Sequence, residues 1–511
     1  MNGYTGKLLR VSLSTGEAAI EDIAADILSK YLGGVGLGAY YLYKELEAGT
    51  DPLGEGSKLF LGTSPLSDNR FPGGGSITLC FKSPLTGAWG ESRCGGDFGP
   101  MLRKAGFDAA IIEGRSSEPV YLTIIDGEAE LKAADKLRGR MVNDKQEAIR
   151  KELENEKVQT LVIGPAGENQ VLYATAMCGH RAAGRAGVGT IMGSKNLLGI
   201  AVYGEFRPAV ADPDGLKESL QAASGVIRSS DTADGFREHG TAGDIAANDA
   251  AGDWPTKNWR SNSWGKGEAL YDSFYENSLD RNNPCYRGCP IACGRIASVK
   301  DGAYKTPSHE GCEYESLSAF TAFVCNDDMD AAVHSTWLCN EYGVDTISAG
   351  ACIAFAMECA EFGLLAGYGK DVDLSWGSSG VLAEMVKLIS LREGIGDLLA
   401  DGVRKASERL GEKTKAFAIH CKGLEGPAHD GRSGKALQIA YATASRGMCH
   451  IHPLEAMAYD SGKMDWNLMS HGLKDPELVD RWDESGKGKA VKILQDGLIV
   501  PDILNVCKFF M

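Results

Sequence analysis

Glu118-Pro119-Val120-Tyr121-Leu122-Thr123-Ile124-Ile125-Asp126-Gly127-Glu128-Ala129-Glu130-Leu131-Lys132-Ala133 decides the class of the first part of the chain. A β-branched and aromatic run leads into Asp-Gly, and a run of alternating polar and apolar residues leads out. That is the pattern of two antiparallel strands joined by a tight turn. Runs of the same kind lie on both sides: KLLRVSL from Lys7, KLFLG from Lys58, SITLCFK from Ser76, DAAIIEG from Asp108 and VQTLVIG from Val158. Two stretches at helical spacing interrupt them, Ala24 to Leu46 and Asp144 to Leu153. Past Arg207-Pro208 the texture changes. Asp327 to Tyr342, Thr346 to Leu365, Val381 to Arg392 and Ile395 to Leu410 each carry an i, i+3, i+4 apolar stripe. Residues 240–315 between them are loop-rich, so the expected class is α+β, sheet-rich first and helical after.

At 511 residues the chain exceeds one core of ordinary size. Its 53 Lys and Arg against 69 Asp and Glu leave a net charge of −16, which repels a phosphate backbone and excludes nucleic acid as the expected partner. No apolar run is long enough to span a bilayer, and MNGYTGKLLRVSLSTGE lacks the apolar core of a secretory signal, so a cytoplasmic protein is expected. In that compartment fourteen cysteines are read as metal ligands or buried thiols rather than disulfides. The 65 glycines fall in separate clusters, as where backbone bends or approaches a ligand closely.

Among the cysteines, Asn283-Pro284-Cys285-Tyr286-Arg287-Gly288-Cys289-Pro290-Ile291-Ala292-Cys293-Gly294 stands apart. Three thiols in nine residues, broken by Gly and Pro, suit a loop around three corners of an iron–sulfur cube. Structural zinc and three unrelated buried thiols are the alternatives. A radical-SAM motif would need C-x3-C-x2-C and misses by one residue. A fourth ligand must come from elsewhere; spacing does not select it. Cys352 and Cys359 lie on apolar helical stripes, whereas Cys507 sits in a loop-like context after the Val500-Pro501 break.

Further motifs add up to a family. They are Gly179-His180-Arg181-Ala182-Ala183-Gly184-Arg185-Ala186-Gly187-Val188-Gly189 with Met192-Gly193-Ser194-Lys195-Asn196-Leu197; Lys82-Ser83-Pro84-Leu85-Thr86-Gly87; Gly164-Pro165-Ala166-Gly167-Glu168-Asn169; and Glu313-Tyr314-Glu315-Ser316. With the cysteine run, they make the chain resemble the tungsten-dependent aldehyde:ferredoxin oxidoreductases from end to end. The resemblance implies a bis-pterin tungsten (or molybdenum) cofactor beside one [4Fe–4S] cluster held by Cys285, Cys289, Cys293 and Cys507. It also implies a sheet-rich base, residues 1–208, under two mainly helical domains, 209–415 and 416–511. Family chains run on past the last cluster cysteine, so the third domain is expected to be truncated here.

By the same resemblance Gly95, Arg181, Ala182, Gly184 and Arg185 contact the first pterin, and the carbonyls of Arg93 and Ala182 hold a Mg2+ that bridges the pterin phosphates. Glycine gives close approach and arginine planar recognition of phosphate. The family pattern D-x-x-G-L-D stands here as Asn340 to Asp345, with Asn340, Val344 and Asp345 as contacts. D-x-x-G-L-C stands as Asp502 to Cys507, with Asp502 and Val506. Asn505 replaces the glycine and tolerates its left-handed backbone. Arg446 and His452 align with further pterin contacts, the second normally Lys.

Oxidising an aldehyde removes two electrons and adds oxygen from water, so a base and a carbonyl-polarising group are required. The resemblance points to Glu315 as the group that orients or deprotonates water and to His450 as the hydrogen-bond partner of the carbonyl. Read from the residues alone, Glu315 also fits a helix N-terminal carboxylate. Cys312 stands where the aldehyde-oxidising enzymes usually carry Pro; it is either a tungsten ligand, as in class II benzoyl-CoA reductases, or a buried thiol. His309 and His239 are unexpected candidates for the pocket wall. Ser76 replaces an arginine beside the first pterin. His334 and Ala383 occupy the positions of an interfacial iron site, which is expected to be absent, although a homodimer is possible. Substrate and partner are expected to be an aldehyde and a ferredoxin; a low-potential thioester reductase or a non-catalytic scaffold subunit are the rivals.

Overall fold

The computed structural model describes residues 2–68, 70–286, 288–462 and 479–510. Twelve strands in the first 203 residues build two six-stranded sheets. The first contains β1 (Lys7–Ser12), β2 (Ala18–Asp22), β3 (Leu59–Gly62), β4 (Ser76–Lys82), β5 (Trp89–Gly95) and β6 (Ala109–Glu113), in the order β2-β1-β6-β3-β4-β5. The second contains β7 (Val120–Ile125), β8 (Glu128–Ala133), β9 (Gln159–Ile163), β10 (Ala176–Cys178), β11 (Arg181–Ala183) and β12 (Leu197–Tyr203), in the order β11-β10-β9-β12-β7-β8. The β7–β8 hairpin turns where expected: Asp126 and Gly127 have φ of 48° and 92°, the two left-handed positions of a tight turn.

The first sheet is covered on both faces, and the side-chain period of two assigns them. Ile77, Leu79 and Phe81 of β4 join Leu161, Val162 and Ile200 of the second sheet in one core. Cys80, with Phe60 of β3, faces Leu28, Val35, Leu37 and Leu42 of the helices outside. Those helices correct one expectation. Ala24 to Leu46 is not one helix but two, Ala25–Tyr31 and Gly34–Glu45. A Cβ at Gly33 would lie 2.5 Å from the Thr63 carbonyl, and one at Gly34 2.3 Å from that of Asp502, so the chain bends there to bring backbone against backbone.

The remainder is mainly helical. Helix Thr346–Glu361 is buried almost throughout, in a core shared with Met329–Tyr342, Gly380–Leu391 and Gly402–Leu410. It is locked to the second sheet by Thr175 N–H donating to Gly343 and Asp345 N–H to Tyr173. Residues 240–315 are less irregular than expected. They hold helices Ile245–Ala251 and Gly267–Ser273 and a three-stranded sheet of β13 (Leu279–Asn283), β14 (Gly294–Ala297) and β15 (His309–Glu310). Val500-Pro501 is not a break either. Helix Lys487–Ile503 runs through it. Pro501 falls in the last turn and forfeits a single helical bond, while the carbonyls of Val500 and Pro501 accept from the N–H groups of Leu504 and Val506 at 2.9 Å.

Candidate functional site

Strand β5 is the spine of the site. It is the free edge of the first sheet, and β11, the edge of the second, packs beside it. Alternate residues of a strand share a face, so Glu91, Arg93 and Gly95 line one side. Each meets a different part of the site.

At the Gly95 end lies the cysteine loop, which connects β13 to β14 and is closed by the Asn283–Gly294 pairing. A Cβ on Gly95 would sit 3.5 Å from that of Cys285. Cys507 reaches the same corner from the far end of the chain: its N–H donates to the Gly73 carbonyl at 3.0 Å. The Tyr286 hydroxyl ties the segments together, accepting from Gly73 N at 2.8 Å and donating to the Phe71 carbonyl at 2.9 Å. The four thiols feel one another. The hydrogen bond from Cys285 pulls Cys289 down to about 6, while that pairing, burial and Cys507 push Cys285 up. Arg181, at the start of β11, reaches this corner with Glu310 Oε2 at 2.9 Å and Glu313 Oε1 at 3.5 Å. Its Nη2 lacks a hydrogen-bond partner.

The middle of the spine is Arg93. Its guanidinium holds Asp502 Oδ1 at 2.6 Å, the Val506 carbonyl at 2.8 Å and Ser76 Oγ at 3.3 Å. The corner in which the family arginine is replaced by Ser76 is thus still served by a guanidinium, from the neighbouring strand. Lys508 pairs with the other Asp502 oxygen at 2.9 Å. At the Glu91 end, His452 Nε2 lies 2.8 Å from the carboxylate and Arg446 Nη1 donates to the Glu91 carbonyl at 2.9 Å. The other Arg446 nitrogens reach Cys449 Sγ at 2.9 and 3.1 Å. Despite burial, His452 and Arg446 hold the Glu91 carboxyl well below its usual range.

Glu315 and His450 come together from helix Tyr314–Phe320 and the loop after helix Lys435–Thr443. Glu315 Oε2 accepts from Ala428 N at 2.7 Å, and its Oε1 lies 3.6 Å from His450 Nε2. Glu315 Oε1 and His450 Nδ1 are buried without hydrogen-bond partners. Burial pushes the Glu315 carboxyl up; burial, with His429 and Arg185 nearby, drives His450 well below its ordinary value. Arg185 bonds Asp345 Oδ2 at 3.2 Å and the carbonyls of Glu425 and Met448 at 2.8 and 3.3 Å. Asp345 also caps helix Thr346–Glu361. Asn340 donates to the Glu310 carbonyl at 2.8 Å, Val344 bridges to Ala174, Ala182 lies exposed on β11, and a Cβ at Gly184 would meet nothing closer than 3.9 Å.

The His239 side chain, 41% exposed, sits with Tyr271 and Tyr275. His309 is buried with Nδ1 at 2.9 Å from the Glu310 carbonyl, and burial lowers it to about 4. His334 faces Tyr304 and Trp337, and Ala383 lies on helix Gly380–Leu391. Cys312 is fully buried in the helical core, where burial raises its thiol. Conversely, the residues of the site include two that sequence reasoning missed. His429 Nε2 lies 3.7 Å from Glu315 Oε1, and its Nδ1 lies 2.9 Å from Asp253 Oδ2.

The N-terminal domain model of aldehyde ferredoxin oxidoreductase matches residues 8–204, and the model of its domains 2 and 3 matches residues 218–511. The chain belongs to the aldehyde ferredoxin oxidoreductase family. It is 38% identical over 522 residues to the tungsten-containing aldehyde ferredoxin oxidoreductase of Thermococcus kodakarensis, covering all of this chain and 82% of that protein. A Pyrococcus furiosus enzyme of the same description is 38% identical over 526 residues, with the same coverage. The aliphatic sulfonate oxidoreductase WOR-like subunit of P. furiosus is 31% identical over 474 residues, 88% of this chain and 75% of that one. The fold also resembles the active site complex BamBC of benzoyl coenzyme A reductase with 1,5 dienoyl-CoA, at a TM-score of 0.85 and 23% identity over 99% of this chain and 82% of that chain. At that identity it speaks for the fold alone. Membership in the aldehyde ferredoxin oxidoreductase family fits the described helices, none of which is long and apolar enough to cross a membrane.

Proposed function

We propose that this protein oxidises aldehydes to carboxylic acids and passes the electrons singly to a ferredoxin-class carrier. One observation carries the assignment: Glu315 and His450 face each other in a buried site, each with one unsatisfied polar atom. Buried polar atoms are normally paired, so these two await a ligand.

The chain fits the groups its family implies. A tungsten–pterin group, when bound, supplies the two-electron acceptor. Arg181 with its free Nη2, the open backbone at Gly184 and the positive charge of Arg185 and Arg446 suit its anionic tails. Arg185 is already satisfied by protein oxygens, so it offers charge rather than a free N–H. His452, Asp502, Val506, Asn340, Val344 and Asp345 would frame the pterins. Cys285, Cys289 and Cys293 from one loop, with Cys507 from the segment tied to Gly73, would hold a [4Fe–4S] cluster. Mg2+ belongs at the carbonyls of Arg93 and Ala182, on the two sheet edges that meet. Domain limits at 208 and 415 complete the proposal.

The residues divide the acid–base work. Glu315 Oε1 takes the proton of the attacking water. His450, kept neutral by burial, retains an uncharged ring whose free Nδ1 is available to the carbonyl oxygen. Anaerobic purification followed by metal analysis and an aldehyde panel with a viologen acceptor tests the whole. Iron together with tungsten or molybdenum, and aldehyde-dependent viologen reduction, are expected. Iron alone with no aldehyde turnover would instead make the protein an electron-transfer or scaffold subunit.

A further inference from the structure

Behind Glu315 stands a second layer to which family resemblance gave no part. Asp253 follows helix Ile245–Ala251, and His429 lies in the loop before helix Lys435–Thr443. Asp253 Oδ2 is 2.9 Å from His429 Nδ1, and its Oδ1 is fixed by Asp430 N at 2.8 Å and Ser433 Oγ at 2.7 Å. His429 is further held by its carbonyl, which accepts from the Tyr441 hydroxyl at 2.7 Å, and by the Tyr314 ring, 4.8 Å away between centroids. Its other nitrogen, Nε2, points to Glu315 Oε1 at 3.7 Å, the oxygen that also faces His450. Carboxylate, imidazole and carboxylate are thus in series, with the first two immobilised by hydrogen bonds the third does not share.

We propose that Asp253 and His429 form a positioning pair that keeps the buried Glu315 ionised as the base, Asp253 making His429 cationic and His429 in turn holding Glu315 anionic. A buried imidazole alone would be neutral and a buried carboxyl alone protonated. Asp253 outweighs burial at His429, and His429 works against burial at Glu315. Asp253, Glu315 and Asp244 favour the His429 cation; at Glu315, His429, the Ala428 N–H and Arg185 oppose burial, and Asp345 adds to it. His429 is raised above its ordinary value despite burial, whereas His450, without a carboxylate of its own, is lowered. Two histidines 5.5 Å apart thereby take different duties, one a fixed charge and one a neutral ring.

The inference rests on aldehyde oxidation at Glu315, and its test separates the two. Asp253→Asn and His429→Gln are each expected to move the acidic limb of the kcat/KM profile upward by about one pH unit or more, because an opposite charge at this range shifts a carboxyl by that order. The double variant is expected to move it no further, since both changes remove one cation. The second readout needs no turnover. In the purified protein near pH 7, infrared difference spectra against Glu315→Gln should show no carboxylic-acid band for the native chain and a new one for Asp253→Asn or His429→Gln. If Asp253→Asn fails to fold, His429→Gln carries both measurements. An acidic limb unmoved in both single variants, additive shifts in the double, or a Glu315 acid band already present in the native protein would overturn the pair. Absence of aldehyde turnover with the infrared result intact would instead overturn the reaction and leave the pair standing.

Discussion

The cysteine corner and the Glu315 corner are assembled by opposite means. Three of the four thiols come from one hairpin loop, and the fourth is delivered by a segment whose backbone is stitched to the first sheet. Glu315, His450, His429 and Asp253 come from four separated stretches, and their side chains meet one another rather than a common strand. The thiols of the first corner are half-buried; in the second the Glu315 and His450 side chains are 14% and 16% exposed, and their charged neighbours set one another's state. One corner is set by backbone connections, the other by the charges of its own side chains.

Cys507→Ser should break the comparison most completely. With one of four thiolates lost, iron content and viologen reduction are expected to fall to background, while the fold measured by circular dichroism persists. Cys359→Ala, on the buried face of helix Thr346–Glu361, is the control and should retain its iron. Equal iron in both would remove Cys507 from the cluster.

Glu315→Gln comes next. General-base catalysis contributes roughly 10²–10⁴-fold, and kcat/KM is expected to drop within that range with iron and tungsten unchanged. A loss below tenfold would reduce Glu315 to a structural tie to the Ala428 backbone.

How far the sequence announced these corners follows from the same contrast. The cysteine run stood out because its thiols are close in sequence and such a spacing has chemical meaning. The hairpin at Asp126-Gly127 and the helical stripes after residue 327 were legible by period and turn chemistry. His429 and Asp253 were not, since 176 residues separate them and neither lies in a periodic element. Only folding makes them neighbours. Pro501 misled for a related reason: its cost depends on where in the helix it falls, which the sequence does not mark.

Arg93→Ala probes the joint between the corners. It leaves Asp502, 2% exposed, with Lys508 as its remaining ionic partner and frees the Val506 carbonyl. Removing one partner of a buried pair costs about 3 kcal/mol or more when nothing replaces it, and Lys508 should moderate this to about 2 kcal/mol. Hydrogen exchange across residues 502–507 is the sensitive readout, with faster exchange expected there and none in β7 or β8. Uniform acceleration over the chain would mean that Arg93 supports the whole fold rather than the delivery of Cys507.

At Asn505 two explanations of one residue can be pulled apart. Its φ is 51°, the left-handed conformation that glycine adopts freely, and Asn is among the few other residues that visit it. Its side chain also accepts from Thr78 Oγ1 and donates to the Gly62 carbonyl at 2.8 Å, both inside the first sheet. If backbone freedom alone matters, Asn505→Gly should be harmless. If the hydrogen bonds matter, Asn505→Gly loses both, at about 1 kcal/mol each, and Asn505→Ala loses them and adds the left-handed cost of about 1 kcal/mol. The expected order of stability is therefore native, then Asn505→Gly, then Asn505→Ala, read from denaturant midpoints and from iron retention on dilution. A glycine variant equal to the native protein would reduce Asn505 to a substitute for glycine. The expected deficit makes it a clasp, because the two partners belong to β4 and β3 while Asn505 belongs to the segment that carries Cys507, so the sheet itself fixes where the fourth sulfur stands.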